Sequence, residues 1–221
     1  MLGEFRPDEN EKRMEAKKTL VFDFDGTIAD TLPRILSISN RLSEDFGYRY
    51  VADHEIEKLR GVRSREALKI LKIPLLRVPA IALRMKAELK KEMHLIQPIG
   101  SIKEVLEELK TMYQLGIVTS NSQPNVERFL AANSMTFFEF VYSSPSLFGK
   151  SRVLKQLLKR QQLQQQEMAY IGDETRDIDA AKKTGIDMIA VSWGANTAEA
   201  LAQLNPQHLI YHPDELLTLL R

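Results

Sequence analysis

From Ser101 to Leu220 short apolar runs alternate with stretches of helical periodicity, and this alternation restricts the fold more than any other feature of the chain. The strand-like runs are Tyr113–Val118, Phe138–Tyr142, Met168–Ile171, Met188–Val191 and Leu209–Ile210. The helical stretches are Ser101–Lys110, Pro124–Ala132, Ser151–Gln161, Arg176–Thr184, Thr197–Leu204 and Pro213–Leu220. Strands separated by helices at this spacing form a parallel sheet covered on both faces. One further run, Thr19–Phe24 (TLVFDF), stands far upstream, too short for a helix and rich in residues that suit a buried strand. Between it and the series lie helical patterns at 32–46, 53–60, 64–72 and 78–94, punctuated by Gly47, Gly61, Pro74 and Pro79. The first begins at Asp30-Thr31-Leu32-Pro33, where a capping side chain is expected just ahead of the proline.

The expected fold class is therefore α/β, a doubly wound parallel-sheet (Rossmann-like) core with an inserted all-helical cap domain. The core takes residues 19–32 and 96–221, and the helical cap takes 33–95. Residues 1–18 form a polar, heavily charged N-terminal extension, expected to be frayed or helical. The glutamine cluster Gln161–Gln166 reads as a solvated helix end.

Composition excludes several classes of function. The 221 residues carry 31 Lys+Arg against 30 Asp+Glu, a formal net charge of +1 that leaves no electrostatic footprint for nucleic acid or an anionic membrane. There is no cysteine, hence no disulfide framework, thiolate nucleophile or Cys-ligated metal, which suits a cytoplasmic protein. No apolar run approaches the roughly 20 residues of a membrane helix. The charged first eighteen residues lack the apolar stretch of a secretory signal. His54, His94, His208 and His212 are scattered, with no spacing that suggests a metal or nucleophile system.

In an open α/β sheet, ligands bind beyond the carboxyl ends of the strands, so the residues after each strand sample the active site. They are Asp23-Phe24-Asp25-Gly26-Thr27, then Thr119-Ser120-Asn121, then Lys150, then Gly172-Asp173-Glu174-Thr175-Arg176-Asp177. Strand alternation points Asp23 and Asp25 to one face, and Gly26 lets the chain turn away sharply. Like charges at ~4 Å repel by a few kcal/mol at an effective dielectric near 20, so such a pair invites a divalent cation, a raised pKa, or both. With the later acids the site is oxygen-only, and its hardness suits Mg²⁺. Phe148-Gly149-Lys150-Ser151 contains the GKS of a nucleotide-binding P-loop. The earlier glycine of that pattern is replaced by Ser144, and Pro145 withholds an N–H, so a P-loop is not expected.

The segment Val21-Phe22-Asp23-Phe24-Asp25-Gly26-Thr27-Ile28-Ala29-Asp30-Thr31 resembles the first signature of the haloacid dehalogenase superfamily, phosphatase branch. The strand-end hydroxyl, Lys150 and the segment 172–177 resemble its other three signatures in the same order. The layout over about residues 19–220 is similar to the phosphoglycolate phosphatase-like group, whose helical cap lies between the first two signatures. The resemblance implies that Asp23 attacks phosphorus and forms an aspartyl-phosphate, and that Asp25 protonates the leaving oxygen and then activates water. It implies Mg²⁺ held by Asp23, Asp25 through its main-chain oxygen, and Asp173, with Asp177 and Glu174 acting behind them or through water. Lys150 would neutralise the phosphoryl group and the nucleophile.

Thr119, Ser120, Asn121, Gly26 and Thr27 join Lys150 in the expected phosphate site. Spacing favours Thr119 as the phosphate-binding hydroxyl, with Ser120 supplying a backbone N–H, and the reverse assignment stays open. Thr27 is expected to brace Asp25.

Selection of the alcohol portion would fall to groups that close over the site. The cap turn Leu59-Arg60-Gly61-Val62-Arg63-Ser64-Arg65 holds three arginines, candidates to grip a substrate carboxylate or phosphate, while Gly61 also suits a helix end. Leu83, Met85, Leu89 and Met93 are expected to form a buried stripe. Trp193 is expected either on the pocket floor or under the last helix.

The function expected is hydrolysis of a small, phosphoglycolate-like phosphomonoester. The partner is then a small phosphorylated metabolite, with no nucleic acid or membrane involved and the oligomeric state left open. Pyrophosphatase or phosphosugar mutase chemistry is the nearest enzymatic alternative. A non-catalytic, phospho-accepting receiver or phosphate-binding module is the alternative from another class. Receivers share the acid, hydroxyl and lysine set but lack a helical insertion.

Overall fold

The computed structural model describes residue 14 and residues 16–144 and 149–221. Most of the N-terminal extension, and the Pro145 and Phe148 positions of the P-loop comparison, lie outside the described residues. Six strands form one sheet: β1 (Thr19–Phe22), β2 (Gln114–Thr119), β3 (Phe140–Ser143), β4 (Met168–Gly172), β5 (Asp187–Val191) and β6 (His208–Ile210). Their order is β3-β2-β1-β4-β5-β6 and each neighbouring pair is parallel, the doubly wound arrangement expected of the alternation. The order reverses beside β1, so the crevice where such sheets bind ligands opens beyond β1 and β4.

Alternation along the strands supplies two cores. Leu20 and Phe22 of β1, Leu115 and Ile117 of β2, Ala169 and Ile171 of β4, and Ile189 and Val191 of β5 face one side. Val21, Val118, Met168, Tyr170, Met188 and Ala190 face the other. The crossover helices are α5 (Ile102–Leu109), α6 (Gln123–Ala132), α7 (Lys150–Arg160), α8 (Thr175–Thr184) and α9 (Ala198–Ala202), with α10 (Glu215–Leu220) closing the chain.

Between β1 and β2 the chain runs through four α-helices, here α1′ to α4′: α1′ (Leu32–Phe46), α2′ (Ile56–Arg60), α3′ (Ser64–Ile70) and α4′ (Val78–Glu92). Ile38 and Leu42 of α1′ and Ile81 and Leu89 of α4′ are continuous with the first core. The chain leaves and re-enters the sheet side by side. Asp30 N–H donates to the Gln97 carbonyl at 3.0 Å, Ile99 N–H donates to Ile28 at 2.9 Å, and Ala29 pairs with Pro98 in an antiparallel bridge. Among the described residues no helix is long and apolar enough to cross a membrane.

Three local expectations are corrected. The first helix of the insertion starts after Thr31 with no side-chain cap, because Pro33 in its first turn needs no partner for the N–H it lacks. The pattern at 53–60 splits into a 3₁₀ turn, Asp53–Glu55, followed by α2′. Met85 is half-buried and Leu89 and Met93 are buried, but Leu83 is 71% exposed. Ile81, Met85 and Leu89 repeat every four residues on one face of α4′, and Leu83 lies two residues off that row. The end of the N-terminal segment, expected to be frayed or helical, is held on the core. Met14 is buried, and the Lys17 ammonium is enclosed where it pairs with Asp187 at the start of β5 and donates to the Gln166 carbonyl at 2.7 Å.

Candidate active site

β1 ends at Phe22 and its ladder continues one step, with Asp23 N–H donating to the Ile171 carbonyl of β4 at 2.8 Å. This pins Asp23 at the crevice, 2% exposed. Gly26 then takes a left-handed φ of 77°, which reverses the chain and brings Thr27 back across the site. Its hydroxyl donates to Asp173 Oδ1 at 2.6 Å, so Thr27 braces Asp173 and not Asp25 as expected. The reversal carries the hydroxyl past Asp25 toward the end of β4. Ala195 N–H holds the other Asp173 oxygen, Oδ2, at 2.7 Å.

Asp23, Asp173 and Asp177 are all buried and offer carboxylate oxygens within 4.8 Å of one another. Lys150 at the start of α7 lies between two of them, pairing with Asp23 Oδ2 and donating to Asp177 Oδ1 at 2.6 Å. Its ammonium also sits 5.7 Å from the centre of the Tyr170 ring. Burial alone would lower the Lys150 pKa, but Asp177 and Asp23 outweigh it and hold the amine charged well above its ordinary range. Burial raises Asp177 to about 7, against the pull of Lys150 and with the help of Asp23 and Glu174. Asp173 is raised well above the ordinary carboxyl range by burial, then by Asp23.

One ammonium among three buried carboxyl groups cannot balance all three as carboxylates, and a divalent cation would supply the missing charge. The donors are all oxygen, which suits a hard cation. Glycines make the cluster compact: a Cβ at Gly26 or Gly194 would press on the Asp173 carboxyl, and one at Gly172 on that of Asp177.

Asp25 stands apart from this cluster. Burial raises its pKa to about 6 and Asp23 adds to the rise, while the Thr31 and Asn121 side chains and Lys150 oppose it. Asn121 Nδ2 donates to Asp25 Oδ1 at 2.9 Å. The two candidate hydroxyls after β2 separate. Thr119 is fully buried and its Oγ1 accepts Asn121 N–H at 2.9 Å, whereas Ser120 lies on the wall of a cavity above Asp25. Glu174 is turned to Arg176, whose Nε donates to Glu174 Oε2 at 2.6 Å. Ser64 at the start of α3′ also donates to Glu174 Oε2, at 3.4 Å.

Arg63 and Arg65 of the insertion line a cleft that also takes in Lys150 and Arg176, and none of the three arginines lines the cavity at Asp25. Their turn is bound to the loop after β5: Thr197 N–H and Asn196 Nδ2 donate to the Arg60 carbonyl at 3.1 and 2.8 Å, and Asn196 Nδ2 also donates to Val62. Arg60 itself donates to the Gly194 carbonyl at 2.9 Å, and Arg63 pairs with Asp179 of α8. Gly61 ends α2′, and Arg65 shares its cleft with Lys69, Lys183, Lys150 and Arg176. Trp193 is half-buried and donates to the Thr27 carbonyl at 3.2 Å, a link within the core.

The cation that does reach the cavity over Asp25 is Lys86 of α4′, together with Arg176. Burial lowers the Lys86 pKa, Asp25 raises it and Arg176 lowers it further. Sequence reasoning missed Lys86, because a lysine in a helix rich in lysine and arginine carries no distinguishing spacing. It also missed Asn125, fully buried on α6, whose Nδ2 bridges Asn121 Oδ1 at 3.0 Å and the Lys86 carbonyl at 3.1 Å. Its place one helical turn beyond Asn121 was the available signal.

Comparison with known proteins gives a consistent picture. Residues 20–191 match the family model described as haloacid dehalogenase-like hydrolase. A phosphoglycolate phosphatase of Synechococcus elongatus is 32% identical over 202 residues, covering 90% of this chain and 95% of that relative. A phosphorylated carbohydrates phosphatase of Thermotoga maritima is 26% identical, covering 92% of this chain and 98% of that relative. Among solved structures, a haloacid dehalogenase-like hydrolase from Streptococcus pneumoniae superposes with a TM-score of 0.78 at 23% identity, covering 93% of this chain and 99% of that one.

Proposed function

The chain belongs to the haloacid dehalogenase-like hydrolases, and from that membership we propose that it is a Mg²⁺-dependent phosphatase acting on a small phosphomonoester through an aspartyl-phosphate. The observation that carries this reading is the pairing of a buried Asp23 on Lys150 with an Asp25 whose pKa is raised to about 6 at the edge of a cavity.

Asp23 Oδ1 accepts Phe24 N–H at 2.7 Å and Oδ2 accepts Lys150, so the carboxylate is held in one orientation. An oxygen of Asp23 forms the bond to phosphorus while the bond to the alcohol oxygen breaks. Asp25 gives its proton to that oxygen. In the second step water attacks phosphorus, Asp25 takes the water's proton, and the Asp23–phosphorus bond breaks to release inorganic phosphate. A carboxyl titrating near 6 suits both transfers around neutral pH.

Lys150 opposes the charge of the phosphoryl oxygens, and Thr119, Ser120 and Asn121 form the loop that receives them. Mg²⁺ held by Asp23, Asp173 and the Asp25 main-chain oxygen, with Asp177 behind, would polarise the phosphoryl group. The helical insertion serves as the cap, and its Lys86 is placed to meet a negative group on the alcohol portion.

Steady-state hydrolysis of an aryl phosphate and of phosphoglycolate, with and without Mg²⁺, tests the reading. Turnover should require Mg²⁺ and fall by about a thousandfold or more in Asp23→Asn. Comparable turnover by that variant rules out Asp23 as the nucleophile.

A further inference from the structure

The cavity over Asp25 has a volume of about 360 Å³, enough for roughly a dozen groups the size of a water molecule at ~30 Å³ each. Glycolate, the alcohol released from phosphoglycolate, has only five non-hydrogen atoms. The two sides of the cavity differ in chemistry. The core side presents Asp25, Ser120, Asn121, Glu174 and Arg176. The insertion side presents Ile35, Leu68, Ile73, Ile81, Met85 and Leu89 among its apolar residues, with Lys86 its single charged side chain.

This wall is held against the site. Asn196 Nδ2 donates to the Val62 carbonyl at 3.0 Å, Asn125 Nδ2 donates to that of Lys86 at 3.1 Å, and Arg60 donates to that of Gly194 at 2.9 Å. The apolar surface therefore belongs to the docked arrangement of insertion and core. Asp25, the acid that meets the leaving oxygen in that reading, lines this cavity, so the alcohol portion would lie along that wall.

We propose, resting on the phosphatase reading, that this cavity selects phosphomonoesters whose alcohol carries an apolar alkyl or aryl body of roughly four to eight carbons. A small polar alcohol leaves most of the wall against water. A larger apolar one removes that surface from solvent and gains affinity with each added carbon.

Binding of non-hydrolysable n-alkylphosphonates, methyl through hexyl, tests the proposal without relying on turnover. Calorimetric titration of the Mg²⁺-loaded protein should show Kd falling about fourfold per added methylene, the equivalent of ~0.8 kcal/mol each. The binding heat capacity should grow more negative along the series. Met85→Gln should flatten the dependence on chain length, and Met112→Gln, on the exposed opposite end of the sheet, should leave it steep.

A Kd that does not change with chain length, or absence of phosphonate binding, overturns the proposal, as does a steep dependence unaltered in Met85→Gln. Failure of the phosphatase reading shows separately, as absent turnover of an aryl phosphate and of n-hexyl phosphate alike by a protein that still binds the phosphonates.

Discussion

Gly194→Ala tests whether the carboxylate cluster holds a metal. Gly194 follows β5 and has no left-handed φ, so alanine fits its backbone and the substitution acts only through the space its methyl group takes. A Cβ there meets the Cβ, Cγ and Oδ2 of Asp173 at under 3.0 Å, whereas ordinary contact begins at 3.4 Å. The Asp173 carboxyl must therefore shift by roughly 1 Å, several times the ~0.2 Å tolerance of a metal–ligand distance. It is also held by Thr27 and Ala195 at 2.6 and 2.7 Å, so it cannot move without straining two buried bonds. Hydrogen bonds to a charged group are worth about 1.5–3 kcal/mol each.

The expected result is a ten- to hundredfold weaker Mg²⁺ affinity, about 1.4–2.7 kcal/mol, with a matching rise in the Mg²⁺ concentration for half-maximal activity. Isothermal titration of the metal-free protein measures the first and an activity titration the second. Melting of the metal-free variant should also begin at a lower temperature. If the variant melts earlier but binds Mg²⁺ as wild type does, Asp173 is not a ligand. If neither changes, the close packing of Gly194 on Asp173 is itself refuted.

Three further outcomes follow from the charges of the site. Asp177 titrates near 7 and Asp173 is raised above the ordinary range, so below neutrality protons compete with the cation; the Mg²⁺ Kd should rise at least about tenfold from pH 7.5 to 5.5. A pH-independent Kd over that window removes these two carboxyls from the site. Lys150→Met leaves Asp23 and Asp177 buried without their cation and should cost about 3–5 kcal/mol in metal-free buffer near pH 8. A carboxyl whose folded pKa is raised stabilises the fold below its unfolded pKa of ~4 and loses that contribution as pH climbs through the folded value, so the loss should shrink near pH 5. Equal losses at pH 5 and pH 8, measured by denaturant melts, would contradict the pairing. Lys86→Met should raise KM for phosphoglycolate roughly ten- to hundredfold while changing KM for methyl phosphate much less. Equal changes for both esters would mean that Lys86 meets the phosphoryl group instead of a carboxylate.

The sheet was legible because its information is local: each strand is a short apolar run between turn signals, and the doubly wound class follows from the alternation alone. The positions of Asp23 and Asp173 were legible for a related reason, since the crevice of such a sheet lies at strand ends. Contacts made by long side chains across the insertion were not. Arg60 and Arg63 sit in a turn that reads as a gripping loop. Where their guanidinium groups go is decided by the Gly194 carbonyl and Asp179, more than a hundred residues away. Thr27 failed in the same way, because its hydroxyl direction depends on how far Gly26 turns the chain.

The same contrast separates reaction from selection. Phosphoryl transfer draws on strand ends that the sheet fixes relative to one another, with β1 and β4 adjacent and in register from Thr19 opposite Met168 to Phe22 opposite Ile171. Selection would draw on helices that pack on the core at Ile81 and Leu89 and whose carbonyls at Arg60, Val62 and Lys86 accept hydrogen bonds from it. Side chains on the inner face of α4′ can therefore change without disturbing the carboxylate cluster, provided those backbone contacts persist. Substitutions at Met85 should accordingly alter which alcohol is accepted, while substitutions at Gly26, Gly172 or Gly194 should impair every substrate alike.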